Sequence, residues 1–181
     1  MDALPHLVPV GPDYASMPVA DAFNWQEAAA ELGAGDWYLV AFRSIRKATA
    51  DEARLNEFDE RAHVEAAAAP GFIHYFKGPA ALDGSCLSFC LWQTRADARA
   101  AAGRPDHVRA VSLIAEMYES YTLEFHRVAR ASGGPLTFES YDRAAAPAPV
   151  ATSTAERLGD VLDIVIDAPS LVLPSQPAIP F

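Results

Sequence analysis

The chain has 181 residues, 51% of them hydrophobic, and a formal net charge of −10. That is enough apolar material for one sizeable core with appendages. The acidic balance excludes an extended nucleic-acid or anionic-membrane surface, which needs clustered Lys and Arg, and leaves a small molecule or another protein as the partner.

Residues 1–35 read as an arm. Pro5, Pro9, Pro12 and Pro18 interrupt any helical period, and a short helix over Asp21 to Leu32 is ended by Gly33 and Gly35. Met1 to Val10 lacks the basic start and apolar centre of a secretory signal. No run reaches the roughly 18 apolar residues of a membrane span. The expected location is therefore the cytoplasm.

The main domain is expected over 36–130. Trp37 to Phe42 is aromatic and β-rich, and Thr49-Ala50-Asp51-Glu52 is a capping-box start for a helix. Leu55, Phe58, Ala62 and Ala66 give that helix one apolar stripe, and Pro70-Gly71 stops it. Phe72 to Lys77 and Cys86 to Trp92 read as a hairpin, with turn residues Gly78-Pro79 and Asp83-Gly84 between them. Thr94 caps an alanine-rich helix ending at Gly103. Pro105 opens a second helical piece with Val108, Val111 and Ala115 on its buried side, and Tyr118 to Val128 is the closing strand.

Residues 131–181 read as a C-terminal extension. An Ala/Pro linker over Ala144 to Val150 leads to a helix opened by Ser153 and Glu156, then to a proline-rich tail. Leu171, Val172, Leu173, Ile179 and Phe181 mark that tail as a docking segment, with a partner subunit as the expected surface.

The order β-α-β-β-α-β is the split βαβ arrangement, an α+β fold with two helices on one face of an antiparallel sheet. Leu87, Phe89 and Leu91 alternate with Cys86, Ser88, Cys90 and Trp92, so neither sheet face suits water. A second sheet from an identical subunit is the simplest cover for the helix-free face, hence an expected homodimer. Cys86 and Cys90 would lie on the order of 13 Å apart along a strand, too far for a disulfide, and they lack the companions of a zinc site. No metal site is expected.

Trp37 to Val128 resembles the dimeric α/β-barrel, ferredoxin-like superfamily, within it the antibiotic-biosynthesis-monooxygenase-like group. The resemblance rests on the element order, on Trp92-Gln93-Thr94 leading into the alanine-rich helix, and on the closing strand Tyr118 to Val128. The run Ser85 to Trp92 also resembles a bacterial group to which no activity is attached. The superfamily resemblance implies a pocket between sheet and helices. It also implies a choice among cofactor-free oxygenases, polyketide cyclases, haem proteins and members without catalysis.

Candidate catalytic residues are His74, His126 and Glu124. Alternation sets Phe72, His74 and Phe76 on one side of their strand, where a desolvated imidazole has a lowered pKa and suits a general base. Glu124 and His126 are i, i+2 neighbours, so the carboxylate can orient the imidazole. Trp92, Arg43, Phe72, Phe76 and His107 are the candidate ligand-binding residues, with Arg43 or Trp92 stabilising an enolate. For haem, Trp92 matches the strand tryptophan of haem-degrading relatives. His107 comes after an inserted Gly103-Arg104-Pro105 break, however, and no asparagine stands between Trp37 and Ser44. No nucleotide loop or nucleophile elbow is present.

The expected function is a cofactor-independent oxygenase or cyclase acting on an apolar aromatic or polyketide-like small molecule, without a cofactor. The alternatives are a non-catalytic homo-oligomeric module binding a ligand or protein, and a haem-binding α/β-barrel protein.

Overall fold

The structure is a computed structural model that describes residues 3–141; the expected linker, C-terminal helix and proline-rich tail lie outside them. Five strands form one antiparallel sheet: β1 (Gly35–Arg46), β2 (Phe72–Phe76), β3 (Ser85–Trp92), β4 (Tyr118–Arg130) and β5 (Leu136–Ser140). Their order is β2-β3-β1-β4-β5. The first four make the ferredoxin-like arrangement. The crossover helices α2 (Glu52–Ala67), α3 (Arg95–Ala102), α4 (Pro105–Ser112) and α5 (Ile114–Met117) join β1 to β2 and β3 to β4. Among the described residues no helix is long and apolar enough to cross a membrane.

Local chemistry explains where the elements begin. Thr94 caps α3 by accepting from the Asp97 N–H at 3.1 Å, and Pro105 opens α4, as its fixed φ favours. The cap of α2 is Asp51 rather than Thr49: its Oδ1 accepts from the Arg54 N–H at 3.0 Å. The helix expected over 21–32 is only α1 (Trp25–Ala28) with a 3-10 turn at Ala29–Glu31. Residues 22–24 are committed elsewhere. Pro9 bridges Phe23, the Val10 N–H donates to the Ala22 carbonyl at 3.0 Å, and Asn24 Oδ1 accepts from the Val8 N–H at 2.8 Å. Ala115 is exposed instead of buried, because the helix breaks at Leu113 and presents Leu113 and Met117 inward.

β5 is a strand that the sequence reading did not assign. Residues 131–135 turn the chain, with Gly133 at φ 71, and Leu136–Ser140 then pairs with His126–Arg130. Leu136 is buried, and Phe138 lies 5.1 Å from the Trp25 ring.

The helix-free face of the sheet is covered by the chain itself. Leu4, Leu7, Tyr14, Val19, Ala22, Phe23, Trp25 and Ala28 pack on Trp37, Leu39, Ala41, Leu87, Phe89, Leu91 and Val128 in one buried cluster. This corrects the expectation that a second copy supplies the cover: a sheet-on-sheet dimer through this face would first have to displace residues 4–28. The layer is tied by specific polar contacts as well as apolar area. The Trp25 indole N–H donates to the Val19 carbonyl at 2.7 Å. Arg43 donates to the carbonyls of Ala15 and Met17, and its Nε pairs with Glu124.

Arg43 is thus a clamp, and its loss has a defined cost. Arg43→Ala removes three charge-assisted hydrogen bonds and leaves Glu124 three-quarters buried without its cation. Each such bond contributes about 1.5–3 kcal/mol in favourable cases. With partial exposure, a net loss of about 2 kcal/mol in urea unfolding is expected, accompanied by faster proteolysis within residues 4–28. Unchanged protease resistance would contradict the clamp.

Candidate functional site

The apolar positions of α2 and α4 do not meet the sheet everywhere. Between them remains a cavity of about 150 Å³. The sheet supplies its floor: Phe42, Ser44 and Arg46 from β1, Cys86, Ser88 and Cys90 from β3, Tyr121 and Leu123 from β4 with Tyr118 beyond the register shift between Ile45 and Arg46, and Tyr75 from β2. The roof comes from Leu55, Phe58, Asp59, Ala62, His63 and Ala66 of α2 and from His107, Ala110 and Val111 of α4. A void of this size accommodates roughly one benzene-sized molecule.

The polar groups of the wall are few and mostly spoken for. The Tyr75 hydroxyl donates to Asp59 Oδ1 at 2.6 Å, and Lys77 Nζ lies 2.7 Å from Asp59 Oδ2. The His63 ring stands 4.9 Å from that of Tyr75. Glu65 fastens the start of α4 by accepting from the backbone N–H groups of Asp106 (2.9 Å) and His107 (3.1 Å). Burial lowers the His107 pKa against the opposing pull of the Glu65 charge, so the imidazole is neutral at physiological pH. Burial, aided by the Asp59 charge, holds Tyr75 protonated well beyond its ordinary range. Burial does the same for Tyr121, and for Cys90 with Asp59 again adding to it. The Tyr118 pKa is also raised by burial, with Arg46 pulling the other way.

Of the eight residues singled out from sequence, His107 alone lines this cavity. Trp92 and Phe72 lie on the same sheet face, in the adjoining cluster with Tyr38 and Phe125, their rings edge to face at 5.4 Å. His74 is buried on the opposite face, its ring 5.6 Å from that of Phe89, and Phe76 packs beside it against Tyr14 and Phe23. Phe72 therefore does not share a side with His74 and Phe76 as strict alternation requires. The register between β2 and β3 shifts between Phe72 and His74, and that bulge turns Phe72 to the helices.

Glu124, His126 and Arg43 also lie on the face covered by the arm. His126 Nε2 is 3.5 Å from Glu124 Oε2. Burial works to raise the Glu124 pKa, but the hydrogen bonds and charges of His126 and Arg43 outweigh it and lower it overall. The expected carboxylate–imidazole pair is formed, but beside the Arg43 clamp rather than at the cavity. The sequence reading missed Asp59, His63, Tyr75 and Tyr121. Asp59 and His63 are i, i+4 neighbours flanking the apolar stripe of α2, and that spacing was the available signal.

Haem does not fit this site. His107 is the candidate ligand, but the space beside it holds one ring and not a tetrapyrrole. Among the described residues no group of three or more His, Cys, Asp or Glu side chains could hold a metal ion.

Comparison with solved structures gives SnoaB, a cofactor-independent oxygenase from Streptomyces nogalater, at 16% identity and a TM-score of 0.41 over 55% of this chain and 96% of that one. Rv0793 from Mycobacterium tuberculosis is similar at 16% identity and a TM-score of 0.44, covering 60% of this chain and 99% of that one. A dimeric ferredoxin-like protein of unknown function from Thermobifida fusca follows at 19% and 0.42, over 50% and 90% of the two chains. No curated protein matches the chain. A family profile described as PB2B2.08-like, by contrast, matches residues 1–139, from the start of the covering arm into β5. Arm, helix-roofed sheet and fifth strand are thus matched as one unit, and the chain belongs to the PB2B2.08-like family.

Proposed function

We propose that this protein is a cofactor-independent acid–base enzyme, of the oxygenase or cyclase kind, acting on a single-ring aromatic small molecule held in the cavity between the sheet and helices α2 and α4. The observation that carries this reading is the neutral, half-buried His107 imidazole in the wall of a ring-sized space. A neutral imidazole accepts a proton from an acidic C–H or O–H of the bound ring. Tyr118 and Tyr121, kept protonated by burial, supply hydroxyl donors to the oxyanion that forms. In the oxygenase form, the electron-rich anion then passes its electrons directly to dioxygen.

A second reading, a ligand-binding module without turnover, is favoured by one feature. Asp59 is committed to Tyr75 and Lys77 within the wall, so no free carboxylate is at hand to relay a proton onward. A homodimer belongs to either reading through a surface other than the covered sheet face, because residues 4–28 fill that face.

The two readings separate in deuterium oxide. Incubation with resorcinol is expected to exchange its ring protons faster than buffer does, as followed by NMR, and Ala62→Phe, which fills the cavity, is expected to abolish the effect. Oxygen uptake alongside exchange assigns the oxygenase form. Binding without exchange overturns the enzyme reading in favour of the binding module, and absence of both overturns the cavity as the site.

A further inference from the structure

The charged groups of the cavity do not cancel. Its lining holds one carboxylate, Asp59, and two permanent cations, Lys77 and Arg46. Lys77 is matched to Asp59 at 2.7 Å. Arg46 is not matched in that way: the nearest carboxylate, Glu52, is 3.8 Å away, and its side chain is 74% exposed, so water screens what attraction remains. The Arg46 side chain is itself largely buried, at 17% exposure, and its Nε is buried with no hydrogen-bond partner among the described residues. The guanidinium meets the Tyr118 hydroxyl, a neutral partner, and its desolvated Nε is costly to leave unpaired unless a ligand completes it. A planar fork of donors is suited to a carboxylate.

Arg46 and His107 stand at different ends of the space. Arg46 closes β1 beside Tyr118 and the start of α2, while His107 stands over the end of α2, where Glu65 holds it. From Leu55 to Ala66, the cavity-lining stretch of α2, the helix rises by about 17 Å, and the Arg46 and His107 side chains enter the lining from its two ends. A benzene ring with an acid group and a hydroxyl at opposite positions, plus one hydrogen bond at each end, spans about 12 Å of that length.

We infer that Arg46 is an anion-recognition residue, and that the ligand class is a monocyclic aromatic acid whose carboxylate meets Arg46 while its other end meets His107. This rests on the cavity reading above and names the chemistry that the cavity selects. Lys77 does not share the role, because Asp59 holds it.

The test is calorimetric binding of 4-hydroxybenzoate against 4-hydroxybenzamide, which keeps the ring and shape but not the charge. Wild-type protein is expected to favour the acid by about tenfold or more, as an added charge-assisted hydrogen bond implies. Arg46→Gln is expected to remove the preference and Arg46→Lys to keep part of it. Equal affinity of wild type for both compounds, or an undiminished preference in Arg46→Gln, overturns the assignment while leaving the cavity reading intact. Failure of both compounds to bind wild type overturns the two together. The wild-type ratio decides by itself, so a variant that does not fold leaves the inference exposed to refutation.

Discussion

Phe89→Ala lowers the free energy of unfolding by about 3–5 kcal/mol, the cost expected for removing a fully buried aromatic ring. Phe89 has no exposed surface and sits at the centre of the covered sheet face. Its ring centroid lies 5.1 Å from Trp25, 5.2 Å from Phe23, 5.6 Å from His74 and 5.7 Å from Phe76. Two of those four neighbours belong to the N-terminal layer, so the measured loss reports on that layer as much as on the sheet. Urea unfolding with an unchanged slope is the measurement. If residues 4–28 were not held against the sheet in solution, Phe89 would already be wet and its loss would cost less than about 1.5 kcal/mol.

His107→Ala slows proton exchange from a bound phenolic ring by about 10²–10⁴-fold, the usual contribution of a positioned general base. The same residue imposes an acid limit on the fold. Its pKa is lowered in the folded state, so the unfolded chain takes up the proton first as pH falls. The stability linked to it is complete above the unfolded value of about 6.5 and declines as pH drops through that value towards the folded one. Thermal midpoints between pH 8 and pH 5 are therefore expected to fall in the wild type and to fall less steeply in His107→Ala. Parallel curves for the two proteins would mean that the imidazole is not desolvated.

The sheet was legible in the sequence because its chemistry is local. The two-residue alternation of Leu87, Phe89 and Leu91 against Cys86, Ser88, Cys90 and Trp92 fixes both faces of β3, and the same alternation requires a cover on each. What covers the second face was not legible. Leu4, Leu7, Tyr14, Val19, Phe23 and Trp25 follow no helical or strand period, and prolines stand among them, so the segment reads as an arm although it is half of a core. β5 was hidden for a related reason: five residues with one buried side chain, Leu136, give too short a pattern to separate from loop.

The site was read less well, and one backbone feature accounts for much of that. The bulge between Phe72 and His74 is invisible to a pattern of alternation, yet it decides which residues of β2 face the helices. Past it, Tyr75 points to the cavity and His74 to the arm, the reverse of what makes His74 attractive as a base. On α2 the apolar stripe was recognised as core, but a core stripe and a cavity roof have the same periodicity. Only packing distinguishes them. Arg43 and Glu124, chosen for chemistry, instead hold the arm, a use of charge that depends on contacts 26 and 28 residues away in the chain for Arg43.

The most direct test of the site is a titration of the full chain with 4-hydroxybenzoate followed by amide chemical shifts. Saturable shifts are expected at the cavity lining, including Ser44, Cys90, Tyr121 and His107, with little change at Leu4, Val19, Leu39 or Leu87 under the arm. Shifts confined to the arm and the face beneath it would place the ligand beside His74 and His126 instead, and would contradict the assignment of function to the helix-roofed cavity.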